Sequence, residues 1–226
     1  SCFDSRTISC IVLNSLIILH LQNTEGTPEN IRKFHPNIIV SSTGSAPLLP
    51  PIAGLKDRID NEKHNIYSIL GMISHINDFP KDLEGKKVVV VGGGAVGLDV
   101  VEFFADRNAD ISIVEMMDQI GRDLDPVSKN DTKTMMKKHN VHQLTKTALL
   151  EVKDSSFLVR GDGEPYELPF EYGFVCLGMR AQGQLYQNLT EEFSSEDVEI
   201  MNIGDSQRAR RIIDGTQEGR NILTIL

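Results

Sequence analysis

An α/β fold built on a parallel sheet is predicted by three features of the sequence. Four consecutive valines, Val88 to Val91, form a short β-branched run suited to a strand covered on both faces. Three glycines spaced G-x-G-x-x-G (Gly92, Gly94 and Gly97) follow at once and open a helix with Val96, Val100, Val101, Phe103 and Phe104 on its apolar face. A second strand, 111–114, comes after a left-handed stop at Asn108 and ends on Glu115.

Each residue type in this stretch has a mechanical reason. Gly92 permits the tight turn out of the strand. Gly94 has no Cβ, so a pyrophosphate can lie against the backbone of Gly92, Gly93, Gly94, Ala95, Val96 and Gly97 and against the helix amides. Gly97 lets helix and strand pack closely. Glu115 lies 23 residues after Gly92, where an acid accepts hydrogen bonds from a ribose diol. A carboxylate there repels a 2′-phosphate, so NADH is favoured over NADPH. Met116 follows the acid at the same edge, and Arg122 reads two ways, as a contact to an adenosine phosphate or as a surface-loop arginine.

Composition narrows the function classes. The 226 residues suffice for one large domain or two small ones, and the 40% hydrophobic content supports a core. A net charge of −9 argues against nucleic acid as a partner, and the lack of Trp argues against a base-stacking platform. No run of eighteen apolar residues exists to span a membrane. Three scattered cysteines, Cys2, Cys10 and Cys176, do not make a disulfide framework and fit a reducing cytoplasm. The opening has no basic region of the signal-peptide kind, and it reads as a fragment whose N-terminal portion is missing. A homo-oligomer is compatible with all of this.

The remaining elements follow in order. The apolar stretch from Ile8 reads as a helix followed by a buried strand at about 16–22. Thr27-Pro28-Glu29 starts a short helix to about Phe34, with Thr27 as its cap. A strand at 37–42 runs into Thr43-Gly44, and the prolines of 47–51 mark a semi-rigid crossover. A small strand at 66–67 leads into a helix at about 68–77, and Asp125-Pro126 opens another to His139, closed by Asn140. A short strand is expected at 141–143. Turn signals at Asp154-Ser155 and Gly161-Asp162-Gly163 divide 148–170 into a three-stranded antiparallel meander. A buried strand at 172–177 precedes a loop, Gly178-Met179-Arg180. The tail carries a strand near 198–203, then Gly204-Asp205, then a final helix.

Other candidates have plain readings. The six histidines lack metal-ligand spacing, so no metal is expected. Cys176 sits in an apolar strand and reads as an inert core thiol. Met116, Met117, Met135 and Met136 read as core filling. Arg208, Arg210 and Arg211 meet a phosphate or form a solvated helix end. Asp205 either bonds a ligand hydroxyl or caps the helix after it.

Several motifs occur in a fixed order: SSTG at 41–44, GGGAVG at 92–97, VCLGMR at 175–180 and IGD at 203–205. In this they resemble the FAD- and NAD(P)-dependent pyridine nucleotide-disulfide oxidoreductase superfamily. The stretches IVEMMDQIGRDLDP at 113–126 and GDSQRARRIIDGTQEGRNI at 204–222 are similar to the C-terminal part of NADH:flavin oxidoreductases of the old yellow enzyme type. That group includes 2,4-dienoyl-CoA reductase and 2-enoate reductases.

The resemblance implies a Rossmann-type NAD(P)-binding domain at 52–180, carrying the meander. It also implies a partial FAD-binding domain of the two-dinucleotide-binding-domain flavoprotein type, from 1–51 and 181–226. It places Thr43 and Gly44 against the flavin domain near the crossover, Gly204 and Asp205 at the flavin dinucleotide, and Gly178 beside the NAD(P)H site. It implies a flavin oxidoreductase passing hydride from NADH to FAD and onward to an activated C=C bond. The first FAD-binding unit is absent, as are the N-terminal barrel with FMN, the iron–sulfur cysteines and the redox cysteine pair. The chain alone is therefore expected to be inactive, with FAD, FMN and an iron–sulfur cluster belonging to the intact protein.

Overall fold

The structure is a computed structural model that describes residues 8–12, 17–21, 25–222 and 224. The chain divides into two compact units, one of Ser1–Ala46 with Met179–Leu226, the other of Pro47–Gly178.

In the first segment, β1 (Ile8–Val12) and β2 (Ile17–Leu21) pair antiparallel, with Ile8 opposite Leu21. Residues 8–12 are thus a strand where a helix was expected. Ile8, Ile11 and Val12 are β-branched, and β2 supplies the backbone partners that an isolated strand lacks. The short helix α1 (Pro28–Arg32) starts on Thr27, whose hydroxyl accepts the Asn30 N–H at 3.2 Å. Strands β3 (Ile38–Ser41) and β4 (Ser45–Pro47) complete the segment.

The middle unit runs α2 (Leu55–Arg58), β5 (Ile66–Tyr67), α3 (Ile69–Ser74), β6 (Lys87–Val91), α4 (Ala95–Ala105), β7 (Asp110–Val114), α5 (Pro126–Lys138) and β8 (His142–Leu144). The meander follows as β9 (Ala148–Val152), β10 (Ser156–Arg160) and β11 (Tyr166–Pro169), antiparallel throughout, before β12 (Tyr172–Val175). The main sheet is parallel, in the order β5-β12-β6-β7-β8.

The valine run explains the layering. Val88 and Val90 face Val100, Val101 and Phe104 of α4 and Met136 of α5. Val89 and Val91 face Leu55 of α2 and Val152, Phe157 and Val159 of the meander. Both faces of β6 are covered, so all four valines are buried, each worth about 1.5–3 kcal/mol relative to exposure. Asn108 and Asn140 stand at positive φ (62° and 52°), stopping α4 and α5.

The last segment opens with β13 (Met179–Ala181), which pairs with β4. The expected loop at 178–180 is therefore mostly strand. Gly178, at φ 103°, re-aims the chain, and the backbone of β4 offers an edge to join. Helix α6 (Gln184–Glu192) buries Leu189, which packs with Phe193 and Ile39. Strand β14 (Glu199–Asn202) pairs parallel with β3, a 3-10 turn covers Gly204–Ser206, and α7 (Ile212–Ile222) is the last described helix.

Two of the four methionines depart from their expected place. Met136 is buried and Met135 packs against the core, but Met116 is 69% and Met117 40% exposed. They follow the last residue of β7, where the chain leaves the sheet. No helix among the described residues is long and apolar enough to cross a membrane.

Candidate functional site

The glycine bend lies at the carboxyl end of β6, the central strand. From β6 the chain passes through α4 to β7 and through α5 to β8 on one side, while β12 lies on the other. This reversal of strand order falls at the carboxyl ends of β6 and β12, the usual ligand position in such sheets.

Gly92 has φ 109°, and a Cβ there would lie 2.1 Å from the Cys176 carbonyl oxygen. The close approach comes from the pairing of β6 with β12, in which the Cys176 N–H donates to the Val91 carbonyl at 2.7 Å. Gly97, one turn into α4, would place a Cβ 1.9 Å from the Gly92 carbonyl oxygen. Above Gly94 the situation reverses, and an added Cβ would meet nothing within 4 Å.

The exposed Gly94 is the N-cap of α4, and no side chain caps this helix. The amides of Ala95, Val96 and Gly97 belong to the first turn, which has no intrahelical acceptors. With the helix dipole they form a site suited to an anion. Of the run Gly92, Gly93, Gly94, Ala95, Val96 and Gly97, the structure leaves Gly94 and Ala95 exposed and Val96 half-buried, while Gly92, Gly93 and Gly97 are buried beneath them.

Glu115 reaches this bend. Its Oε2 accepts the Gly93 N–H at 2.6 Å and its Oε1 accepts the Met117 N–H at 2.7 Å. Met116 stands exposed beside it. Arg122 is exposed and follows Gly121, whose N–H donates to the Gly93 carbonyl at 2.7 Å. Gly178 is exposed just past the carboxyl end of β12, with open space where a Cβ would be.

The sequence reading missed Asp99, the first charged residue of α4. Partial burial raises its pKa. Burial also pushes the Cys176 thiol up to about 12, with the Asp99 charge adding to the effect. Cys176 is therefore a neutral thiol at physiological pH. One signal for Asp99 was legible, since it interrupts the otherwise apolar Val96–Val101 stretch.

The other unit collects the second group of candidates. The Ser45 hydroxyl, directly after Thr43 and Gly44, donates to Asp205 Oδ2 at 3.1 Å. The Thr43 hydroxyl donates to the Gln182 carbonyl at 2.5 Å, and Gly44 has φ 74°. Gly204 has φ 67°, and its N–H donates to Glu218 Oε2 at 2.7 Å. That bond and the ion pair with Arg210 hold the Glu218 carboxyl below the usual range.

Asp205 Oδ1 accepts the Arg210 N–H at 3.1 Å. Helix α7 begins only at Ile212, so Asp205 does not cap it. Arg210 is committed to Glu218, leaving Arg208 and Arg211 exposed. Among the described residues, no group of three or more His, Cys, Asp or Glu side chains is placed to hold a metal ion.

Comparison with known proteins agrees with this architecture. The chain is 26% identical to a metal reductase of Desulforamulus reducens over 88% of its own length and 32% of the relative's. It is 26% identical to an NADH oxidase of Thermoanaerobacter brockii over 84% of its length and 28% of that protein's. In fold it is similar to 2-naphthoyl-CoA reductase, with a TM-score of 0.71, 22% identity, and coverage of 87% of this chain and 28% of that one. The chain thus spans about a third or less of the length of these proteins. The architecture is α/β, of the Rossmann type found in two-dinucleotide-binding-domain flavoproteins. A profile described as pyridine nucleotide-disulphide oxidoreductase matches residues 18–201, and the chain belongs to that family of flavin-dependent pyridine nucleotide oxidoreductases.

Proposed function

We propose that the chain is the NADH-binding portion of a flavin-dependent oxidoreductase, acting within a longer protein that reduces an activated C=C bond. The observation that carries this is the open surface over Gly94 at an uncapped helix mouth, with Glu115 at its rim. The middle unit binds the nucleotide, and the residues of 1–51 and 181–226 belong to an FAD-type domain.

The fit to NADH is good. The first-turn amides of α4 receive the pyrophosphate. A carboxylate offers about four acceptor sites, and Glu115 has two left for a ribose diol. Exposed Met116 gives the adenine an apolar surface, and Gly178 leaves room at the neighbouring strand end. Arg122 approaches the phosphates from the loop tied to Gly93.

The fit to FAD is partial. Asp205 has acceptor sites free for a ribityl hydroxyl, beside Gly204, Thr43 and Gly44. The sequence holds no second G-x-G-x-x-G for the adenosine half. When bound, the nicotinamide supplies a hydride and the flavin accepts it, while the protein orients them. FMN and an iron–sulfur cluster would be held outside this chain, which by itself does not complete the reduction of a C=C bond.

Calorimetry with NADH and NADPH, on the wild type and on Glu115→Ala, tests the cofactor assignment. NADH binds more tightly to the wild type, and the substitution narrows the gap. Equal affinity for the two nucleotides before mutation would remove the assignment.

A second reading, a nucleotide-binding module without redox activity, is favoured by one observation. Cys176 is a buried, neutral thiol and offers no reactive thiolate for a redox step. Relatives named NADH oxidase and metal reductase also point to acceptors other than a C=C bond. Hydride transfer from NADH to added FAD, FMN or a dye separates the enzyme from the module.

A further inference from the structure

The peptide of Gly93 is gripped on both sides by the loop that follows β7. Its N–H donates to Glu115 Oε2 at 2.6 Å, and its carbonyl accepts the Gly121 N–H at 2.7 Å. A Cβ on Gly93 would lie 3.0 Å from Glu115 Oε2 and 3.1 Å from Ile120 Cγ1. The middle glycine of the run is thus accounted for by Glu115 and Ile120 resting on it, independently of any phosphate. The gripping loop is itself anchored, because Thr147 and Lys146 donate their N–H groups to the Glu115 and Met117 carbonyls, both at 2.9 Å.

We infer that Glu115 is a positioning residue. Its carboxylate and residues 115–121 form a clasp that fixes the Gly93 peptide, and with it the mouth of α4, before any nucleotide arrives. Ordering a loop on binding costs affinity, and a site already ordered avoids that cost. Hydrogen bonds to an ionised acceptor are the stronger kind, and the clasp uses two of them on one side chain. Glu115 therefore acts twice, with two acceptor sites holding the bend and two turned to the ligand. This inference rests on the nucleotide reading of Gly92–Gly97.

The test uses the whole chain and the variant Glu115→Gln. Glutamine keeps the shape but offers one acceptor oxygen to two backbone donors, so one amide loses its partner. Two probes are titrated by calorimetry: ADP, and 2′,3′-dideoxyadenosine 5′-diphosphate, which has no ribose hydroxyls for Glu115 to bond. Both weaken by about tenfold or more, the effect of one lost hydrogen bond to a charged group. In the unliganded variant, the amides of Gly93, Met117 and Gly121 exchange faster with solvent while those of Val89 and Val90 do not. Gly93→Ala, which crowds Glu115 from the other side, gives the same pattern.

If the dideoxy nucleotide binds wild type and variant equally, Glu115 acts only on the hydroxyls and the clasp is refuted. Faster exchange extending to Val89 and Val90 would also overturn it, in favour of a general loss of stability. A wild type that binds neither probe removes the nucleotide reading instead, while the exchange rates still decide whether Glu115 holds Gly93.

Discussion

Cys176 shows how one residue's surroundings set its chemistry. Burial and the Asp99 charge raise its thiol to about 12, against 9.0 for an unperturbed cysteine. The folded state therefore keeps its proton through a range in which the unfolded chain releases it. Stability from this group is intact below pH 9 and declines as pH rises from 9 towards 12, by about 1.4 kcal/mol per pH unit. Denaturant midpoints of wild type and Cys176→Ala should accordingly converge over that range, and parallel curves would refute the assignment. Gly92 makes a second case at this scale. Its φ of 109° is poor for any side chain, and a Cβ would strike the Cys176 carbonyl. Gly92→Ala should cost about 2 kcal/mol or more, read from the urea midpoint. The inert character of Cys176 was legible from its apolar neighbours, and the tight turn at Gly92 from its place after four valines. The exposure of Met116 and Met117 was not, because a methionine just past a strand end has the same local sequence whether it fills a core or stands exposed.

At the scale of elements, α4 is fixed to the sheet by an aromatic cluster. The Phe104 ring centroid lies 4.8 Å from Phe174, 5.0 Å from Phe103 and 5.2 Å from Phe79. Phe104 is fully buried, so Phe104→Ala should lose about 3–5 kcal/mol, measured by chemical denaturation. Because α4 carries the mouth proposed to receive the pyrophosphate, the same variant should also bind NADH more weakly, although Phe104 is far along the helix from Gly94. Elements with strong local signals were legible: the valine strand, the Asp125-Pro126 helix start, the meander with its turns, and the stops at Asn108 and Asn140. Elements defined by a distant partner were not. Strand β13 exists because β4, more than a hundred residues earlier, offers an edge. The strand at 8–12 needs β2 in the same way. Helix α6 did carry a signal, since Leu185, Leu189 and Phe193 recur every fourth residue along one face, but α2 is a single turn and too short for any period to register.

The whole molecule is unequal in its cores. Both large hydrophobic clusters, one on each face of the parallel sheet, are built from residues of Pro47–Gly178. The other unit buries only Ile39, Leu189 and Phe193 as a cluster among the described residues, and draws its parallel pair, β3 and β14, from the two ends of the chain. Bringing distant segments together costs loop-closure entropy, and a small core repays little of it. The ends of the middle unit are adjacent, since the Leu48 N–H donates to the Gly178 carbonyl at 2.9 Å. Excised residues 47–178 should therefore fold alone, unfold in one cooperative transition and bind NADH about as tightly as the full chain. The bend, α4, Glu115 and Arg122 all travel with that piece. A broad, uncooperative melt would mean that the two clusters depend on the outer segments for their order. A cooperative melt with lost NADH affinity would mean instead that residues outside 47–178 contribute to the nucleotide site.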